Sequence, residues 1–174
     1  MTDIDVHGFT ASGSIDATID DMRMTVPDDL ANRHRQMIAA WEEEGNVIPA
    51  YQPPLPSGAD VDAERDKRIA GGFVFNGSTF QSRPEDLANI NGAYSLANTA
   101  VMLGAQPGDL RWADPSTDFY WLNLDNQPVP MDAQTVLQFG AAALRHKSSL
   151  IWKARAIKDV DPVPADFASD SYWN

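Results

Sequence analysis

The dipeptide Asn76-Gly77, set between two short aromatic runs, most constrains how this chain can fold. Asn-Gly supplies the two residues of positive φ that a type I′ turn requires, and the twist of that turn matches the strands it joins. The resulting register places Phe73 opposite Phe80. Because side chains alternate between the two faces of a strand, Phe73, Phe75 and Phe80 share one face. Three aromatic rings on one face of a hairpin need an apolar cover.

Two helices that follow the hairpin are the predicted cover. The segment Ser82-Arg83-Pro84-Glu85 has the pattern of a capping box with proline in the first turn. The helix it starts should end at Gly104, and its stripe is Leu87, Ile90, Tyr94, Ala97 and Val101. We expect a hairpin aromatic to pack on Gly92, in the middle of this helix. Asp132 should cap a last helix that runs to about Asp159. Its stripe is Val136, Gly140, Ala143, Leu150, Ala154 and Ile157, interrupted by Lys147.

A second hairpin is predicted between these helices. The dense run Phe119–Leu124 should turn at Asp125-Asn126 into a strand over Gln127–Met131. A two-residue loop there places Tyr120, Leu122 and Leu124 on one face with Val129 and Met131. The prolines in the returning strand predict that it lies at a sheet edge.

The first part of the chain is expected to be an arm followed by short β structure and a helix. Residues 1–13 are polar and predict a loose arm. Alternating apolar residues over 15–19 and 22–26 predict either two strands turning at Asp20-Asp21 or one strand with a bulge. An amphipathic helix should begin at Pro27-Asp28-Asp29 and end at Gly45.

These elements predict an α+β fold in which small antiparallel hairpins pack against two long helices. Residues 1–48 form an attachment module with β structure and an amphipathic helix, and residues 49–60 form a proline-rich linker. A compact α+β head covers residues 61–160. Residues 161–174 form an acidic tail whose aromatic residues are expected to dock on this molecule or on a neighbour.

Charge and composition exclude several classes of function. The formal charge is −12 over 174 residues, which argues against a nucleic-acid partner because affinity for phosphate needs clustered Lys and Arg. The basic residues cluster at 65–68 and 145–158, which indicates solvated helix faces or an acidic protein partner. Without cysteine there is no disulfide or thiolate chemistry. We predict neither a membrane span nor a signal peptide.

No residue pattern indicates catalysis. His7, His34 and His146 are far apart in sequence, and no phosphate loop, serine-hydrolase elbow or zinc motif is present. The acidic pairs Asp20-Asp21 and Asp28-Asp29 are explained as a turn and a cap. We therefore predict no enzyme activity, no catalytic, cofactor-binding or metal residue, and no cofactor.

Several separated blocks resemble a known family. RDKRIAGGFVFNGSTFQS, WLNLDNQPVPMDAQTVLQFG and AALRHKSSLIWKARAIKD occur in the order seen in a C-terminal domain of unknown function found in bacteriophage tail and tail-fibre assembly proteins. The resemblance covers about residues 62–160. The segment VPDDLANRHRQMIAAWEEEGNVIPAY resembles a short module that precedes such domains. The resemblance implies a location in the phage tail. It identifies no functional residues.

The resulting expectation is a structural component of a bacteriophage tail, at the fibre or baseplate, that acts through protein–protein contacts. Its partners would be other tail proteins and its own copies, with a trimer as one candidate state. It would reside in the virion tail, and in the host cytoplasm during assembly. The alternatives are a tail-fibre assembly chaperone that is not retained in the virion and, less well supported, a hydrolase acting on polysaccharide. Binding is expected to use exposed aromatic residues and the N-terminal module, with the head giving rigidity.

Overall fold

The computed structural model describes residues 3–174 and confirms the α+β class. It has four helices and three small antiparallel sheets within those residues. The chain divides into two compact units, Met1–Pro54 and Leu55–Asn174. Each unit has its own buried apolar cluster or clusters, and each is described in turn.

The first unit contains a three-stranded sheet of β1 (Ile4–Phe9), β2 (Ile15–Ile19) and β3 (Met22–Val26) in that spatial order. The prediction of a loose arm over residues 1–13 is therefore wrong for its described part. Gly8, at φ +141°, lies at a bulge in β1. It interrupts the alternation of apolar and polar residues by which a strand is recognised in a sequence. A Cβ on Gly8 would lie 3.0 Å from the carbonyl oxygen of Pro49.

The turn and the helix of this unit were predicted in part. Asp20 and Asp21 both have positive φ and join β2 to β3, which confirms two strands. Helix α1 covers Arg33–Glu43 and is capped by Asn32, so the predicted start at Pro27-Asp28-Asp29 is wrong. The Asn32 side chain accepts the backbone N–H groups of residues 34 and 35. Gly45 follows the helix at φ +95°, as predicted.

The second unit begins with α2 (Gly58–Ala70) and continues through the hairpin β4 (Phe73–Phe75) and β5 (Ser78–Phe80). It then has α3 (Pro84–Met102), the hairpin β6 (Tyr120–Leu122) and β7 (Pro128–Pro130), and α4 (Ala133–Lys158). A short 3-10 helix lies at Asp170–Tyr172. The α3 and α4 helices pack against each other, and α2 packs on the second half of α4.

The aromatic hairpin has the predicted register, and its cover is confirmed. Phe73 pairs with Phe80, and Asn76 and Gly77 both have positive φ. Phe80 is fully buried, and the ring that contacts the hairpin most closely is Phe139 of α4. The sequence stripe proposed for α4 omitted Phe139, although this residue lies at the centre of the core.

The register predicted for the second hairpin is wrong. Trp121 pairs with Val129 and both face the core, whereas Tyr120 and Leu122 are about half exposed. The loop has three residues because the Asn123 side chain accepts the backbone N–H groups of residues 125 and 127. Asn126, at φ +57°, completes it. One extra loop residue moves each side chain to the opposite face.

Two further details of α3 differ from expectation. The capping contact is made by Asp86, which accepts the backbone N–H of Arg83, while Ser82 is buried and donates to the carbonyl of Ile69 at 2.5 Å. Gly92 has open space around it, so the predicted aromatic contact there is wrong. The glycine that meets an aromatic ring is Gly140 of α4.

The acidic tail packs on its own unit. Trp173 is 3% exposed and joins a cluster with Val61 and Ile69 of α2 and Leu150, Ala154 and Ile157 of α4. Its indole Nε1 donates to the carbonyl of Phe167 at 2.7 Å, and its own carbonyl accepts from Lys153 Nζ at 2.8 Å. The guanidinium of Arg68 lies 5.2 Å from the indole ring centre.

Candidate functional site

An apolar groove runs between α3 and α4 in the second unit. Its volume is about 350 Å³, within the range of small binding sites. Two of the residues that line it, Ile90 and Ala143, are buried. The other lining residues are Leu87, Asn91 and Tyr94 of α3 and Gly140, Ala141, Leu144 and Lys147 of α4.

Gly140 shapes the groove by letting the Tyr94 ring approach the α4 backbone. A Cβ at residue 140 would lie 2.7 Å from Cδ2 of Tyr94, which is too close for any real contact. The ring therefore lies against α4 instead of standing away from it. Tyr94, predicted as a stripe residue, remains 39% exposed and forms part of the groove wall.

A second row of residues runs along α4 beside its core stripe, at alternating intervals of four and three: Leu137, Ala141, Leu144, Ser148, Ile151 and Arg155. Leu137 is half-buried against the aromatic core, and the exposed large apolar residues of the row are Leu144 and Ile151. Leu144 is 68% exposed, and the neighbouring Trp152 is 70% exposed. We call these seven residues the α4 face. Large apolar side chains at this spacing are typical of a helix that packs against another helix.

Cations lie beside the α4 face and at its last residue, Arg155. Arg145 and Lys147 are exposed, and neither forms a salt bridge to any residue of the described chain. Arg155 is paired with Asp159 at 2.8 Å, one helical turn away. Two unpaired cations therefore lie beside the exposed apolar residues of the α4 face, although the whole chain has a formal charge of −12.

His146 lies on the opposite side of α4 from this face. Its ring stacks on Phe73, with 6.1 Å between ring centres, and no hydrogen-bond partner for its buried Nε2 is found among residues 3–174. Burial lowers the pKa of His146 below its ordinary value, while hydrogen bonding to the backbone of Ile69 and Arg68 partly opposes that shift. The positive charge of Lys153 lowers the pKa further. His146 is therefore a neutral structural residue at pH 7.

The lowered pKa of His146 predicts acid sensitivity of the second unit. The unfolded chain takes up a proton near pH 6.5 and the folded chain only at lower pH. The stability due to neutral His146 is thus complete above about pH 6.5 and is lost as the pH falls toward the folded-state pKa. Urea unfolding followed between about pH 7 and pH 5 should show this loss, and His146→Gln should remove most of it. An equal pH slope in both proteins would contradict this assignment.

A cross-strand cluster in the first unit resembles a nucleophile–base–acid set only superficially. His7 Nε2 lies 2.9 Å from Thr18 Oγ1 on the exposed face of the sheet. Asp5 Oδ2 lies 3.8 Å from His7 Nδ1, which is too far for a hydrogen bond, and its side chain is mostly exposed. Such pairs stabilise antiparallel sheets. The cluster is best explained as a cross-strand contact.

Neither a metal-binding cluster nor a membrane-spanning helix occurs in the part of the chain that the structure describes. Across residues 3–174, no three His, Asp or Glu side chains are grouped so that they could hold a metal ion. The helices of the same range include none with the length and apolar character needed to cross a bilayer.

The second unit is thus a small α+β domain with an apolar groove between two helices, and Lys147 is the basic residue that lines it. Residues 56–170 match the family model described as "Domain of unknown function (DUF4376)", so the chain belongs to that family. No curated protein and no solved structure matches the chain.

None of these groove residues was predicted from the sequence to be functional. The family resemblance seen in the sequence, over about residues 62–160, lies within the matched range. The available signal for the α4 face was the heptad spacing of Leu137, Leu144 and Ile151, which lies beside the core stripe on the same helix.

Proposed function

We propose that this protein is a non-enzymatic structural component of a bacteriophage tail, in the fibre or baseplate, and that it acts by binding other proteins. The observation that carries the proposal is the α4 face, in which Leu144, Ile151 and Trp152 are exposed apolar residues that lie beside two unpaired cations and next to the groove. Exposed apolar surface of this kind, rimmed by polar residues, is typical of interaction sites.

The phage-tail context rests on the sequence blocks described above and on their order. The blocks RDKRIAGGFVFNGSTFQS and AALRHKSSLIWKARAIKD lie within the family match at residues 56–170. They correspond in the structure to the end of α2 with the aromatic hairpin, and to most of α4. The second of these blocks contains five of the seven residues of the α4 face: Leu144, Ser148, Ile151, Trp152 and Arg155.

The proposed partners are other tail proteins, with self-association into a homo-oligomer as part of the assembly. The proposed location is the virion tail, reached from the host cytoplasm during assembly. An assembly chaperone would use the same surface but leave before the virion is complete. A polysaccharide-acting hydrolase is the weaker alternative, and the cross-strand cluster at His7 gives it no support.

Purified virions test the structural role against the chaperone role. Quantitative mass spectrometry should find the protein at a fixed ratio to a tail-tube or baseplate protein. A chaperone would be depleted from virions yet present in complexes from infected cells. Absence from both preparations would contradict any tail function.

Charge substitution in the α4 face should block incorporation. In phage that carry Leu144→Glu with Ile151→Glu, we expect the amount in virions to fall about tenfold or more, because buried interface anchors carry most of the binding energy. Val74→Glu, at an exposed apolar residue of β4, is the control and should incorporate normally. Circular dichroism should show all the variants folded. Normal incorporation of the double variant would exclude the α4 face as the binding surface.

A further inference from the structure

We propose that the α4 face and the adjoining groove bind one acidic amphipathic α-helix of a different tail protein. This inference rests on the proposed function, since it specifies the partner of the same surface. Three observations carry it: the spacing of the apolar residues, the small residues between them, and the charges beside them.

The spacing indicates that the occupant is a helix. Leu144 and Ile151 are exposed and one heptad apart, in a row of residues at intervals of four and three from Leu137 to Arg155 that we call the seam. This is the spacing with which one helix packs against another. This seam is about 27 Å long, which corresponds to about five turns. A β-strand partner would need a free sheet edge with unpaired backbone groups, and α4 has none to offer along this surface.

The small residues let the partner helix come close. Ala141 and Ser148 alternate with Leu144 and Ile151 along the seam. Small residues facing a partner's large side chains permit close approach between helix axes. On one side of Leu144 the groove opens, with Tyr94 as its far wall, so a partner side chain can insert beside the seam.

The charges indicate an acidic partner and not the same face of a second copy. Arg145 and Lys147 flank Leu144 on its two sides. Two copies packed through their α4 faces would bring these cations together, which is unfavourable in an apolar interface. A helix with Leu, Ile or Met on its seam and Glu or Asp beside it would satisfy both cations and cover Trp152.

Synthetic helices test the proposal on the full chain. The probe is a fluorescently labelled peptide of about three heptads with Leu at both seam positions and Glu at both flanking positions. The matched peptide has Lys in place of every Glu. By fluorescence anisotropy, the Glu peptide should bind on the order of tenfold more tightly than the Lys peptide, and the difference should shrink with added salt.

Variants of the protein locate the binding. Arg145→Glu with Lys147→Glu should reverse the preference between the two peptides, whereas Leu144→Asp should weaken both by about tenfold. Arg33→Glu with Lys67→Glu makes the same change in net charge elsewhere on the exposed surface and should leave the preference unchanged. Equal binding of the two peptides, or no binding of the Glu peptide, would overturn the proposal.

Sedimentation tests the remaining candidate occupant of the α4 face, a second copy of this chain. A dimer that Leu144→Asp dissociates would show that α4 faces pair with each other, and this would also overturn the proposal. Failure of the proposed function is distinguishable, because it would appear as absence from virions and infected-cell complexes while the peptide preference persisted. Loss of the peptide preference with normal virion content would reject the acidic helix alone.

Discussion

Phe139→Ala should lower the free energy of unfolding by about 3–5 kcal/mol, the loss typical of deleting a fully buried aromatic ring. Phe139 is 0% exposed. Its ring centre lies 4.8 Å from that of Phe80, 5.2 Å from that of Phe73 and 5.3 Å from that of Trp121. One side chain thus joins both hairpins to α4, and its removal leaves a cavity that neither hairpin can fill alone.

Urea denaturation of the full chain, followed by near-ultraviolet circular dichroism of the aromatic residues, measures this loss. Trp152→Ala is the control because Trp152 lies on the same helix and is largely exposed. We expect the control to change the free energy by no more than about 0.5 kcal/mol. A loss below about 1 kcal/mol for Phe139→Ala would contradict its central position.

Trp173→Ala should destabilise the second unit to a similar extent, by about 3–5 kcal/mol. The substitution removes a buried indole from the cluster formed by α2 and α4, together with its hydrogen bond to the Phe167 carbonyl. It also removes the ring that lies beneath the guanidinium of Arg68.

Trp173→Phe separates the two contributions. It keeps most of the apolar contact but removes the indole N–H, so the expected loss is only about 1–2 kcal/mol. The same urea measurement applies. If Trp173→Ala changed the stability no more than Trp152→Ala, the tail would be a surface appendage and the packing described for it would be wrong.

Where local signals are strong, sequence predicted this fold well. Asn76-Gly77 determines the turn type, and the turn determines which phenylalanines share a face. Asp132 caps α4 as predicted, with Thr135 donating its backbone N–H at 2.7 Å. These features depend on residues within one turn or one hairpin.

The predicted start of α1 and the predicted loop of the second hairpin are wrong because neighbouring polar side chains compete for the same backbone groups. Asp28 and Asn32 can both cap a helix, and the structure uses Asn32 while Asp28 pairs with Arg35 at 2.6 Å. Asn123 similarly organises a three-residue loop that the Asp125-Asn126 pattern does not reveal. Such choices are settled by contacts beyond the local pattern.

The candidate site could not be predicted for a different reason. Large apolar residues of α4 occur both in its core stripe and in the α4 face, and hydropathy does not distinguish those that pack within the same chain from those that are exposed. Val136 and Leu144 are both aliphatic residues of α4, yet Val136 is fully buried and Leu144 is 68% exposed. The groove depends on α3, through Tyr94 beside Gly140, which is a contact between distant parts of the chain.

The length of α4 has a mechanical consequence. Its first half supplies Val136 and Phe139 to the aromatic core, and its second half supplies Leu150 and Ile157 to the cluster that holds the tail. The 26-residue helix, about 39 Å long, is therefore shared by both clusters. Because unravelling α4 removes residues from both clusters at once, we expect the second unit to unfold in one step under a pulling force.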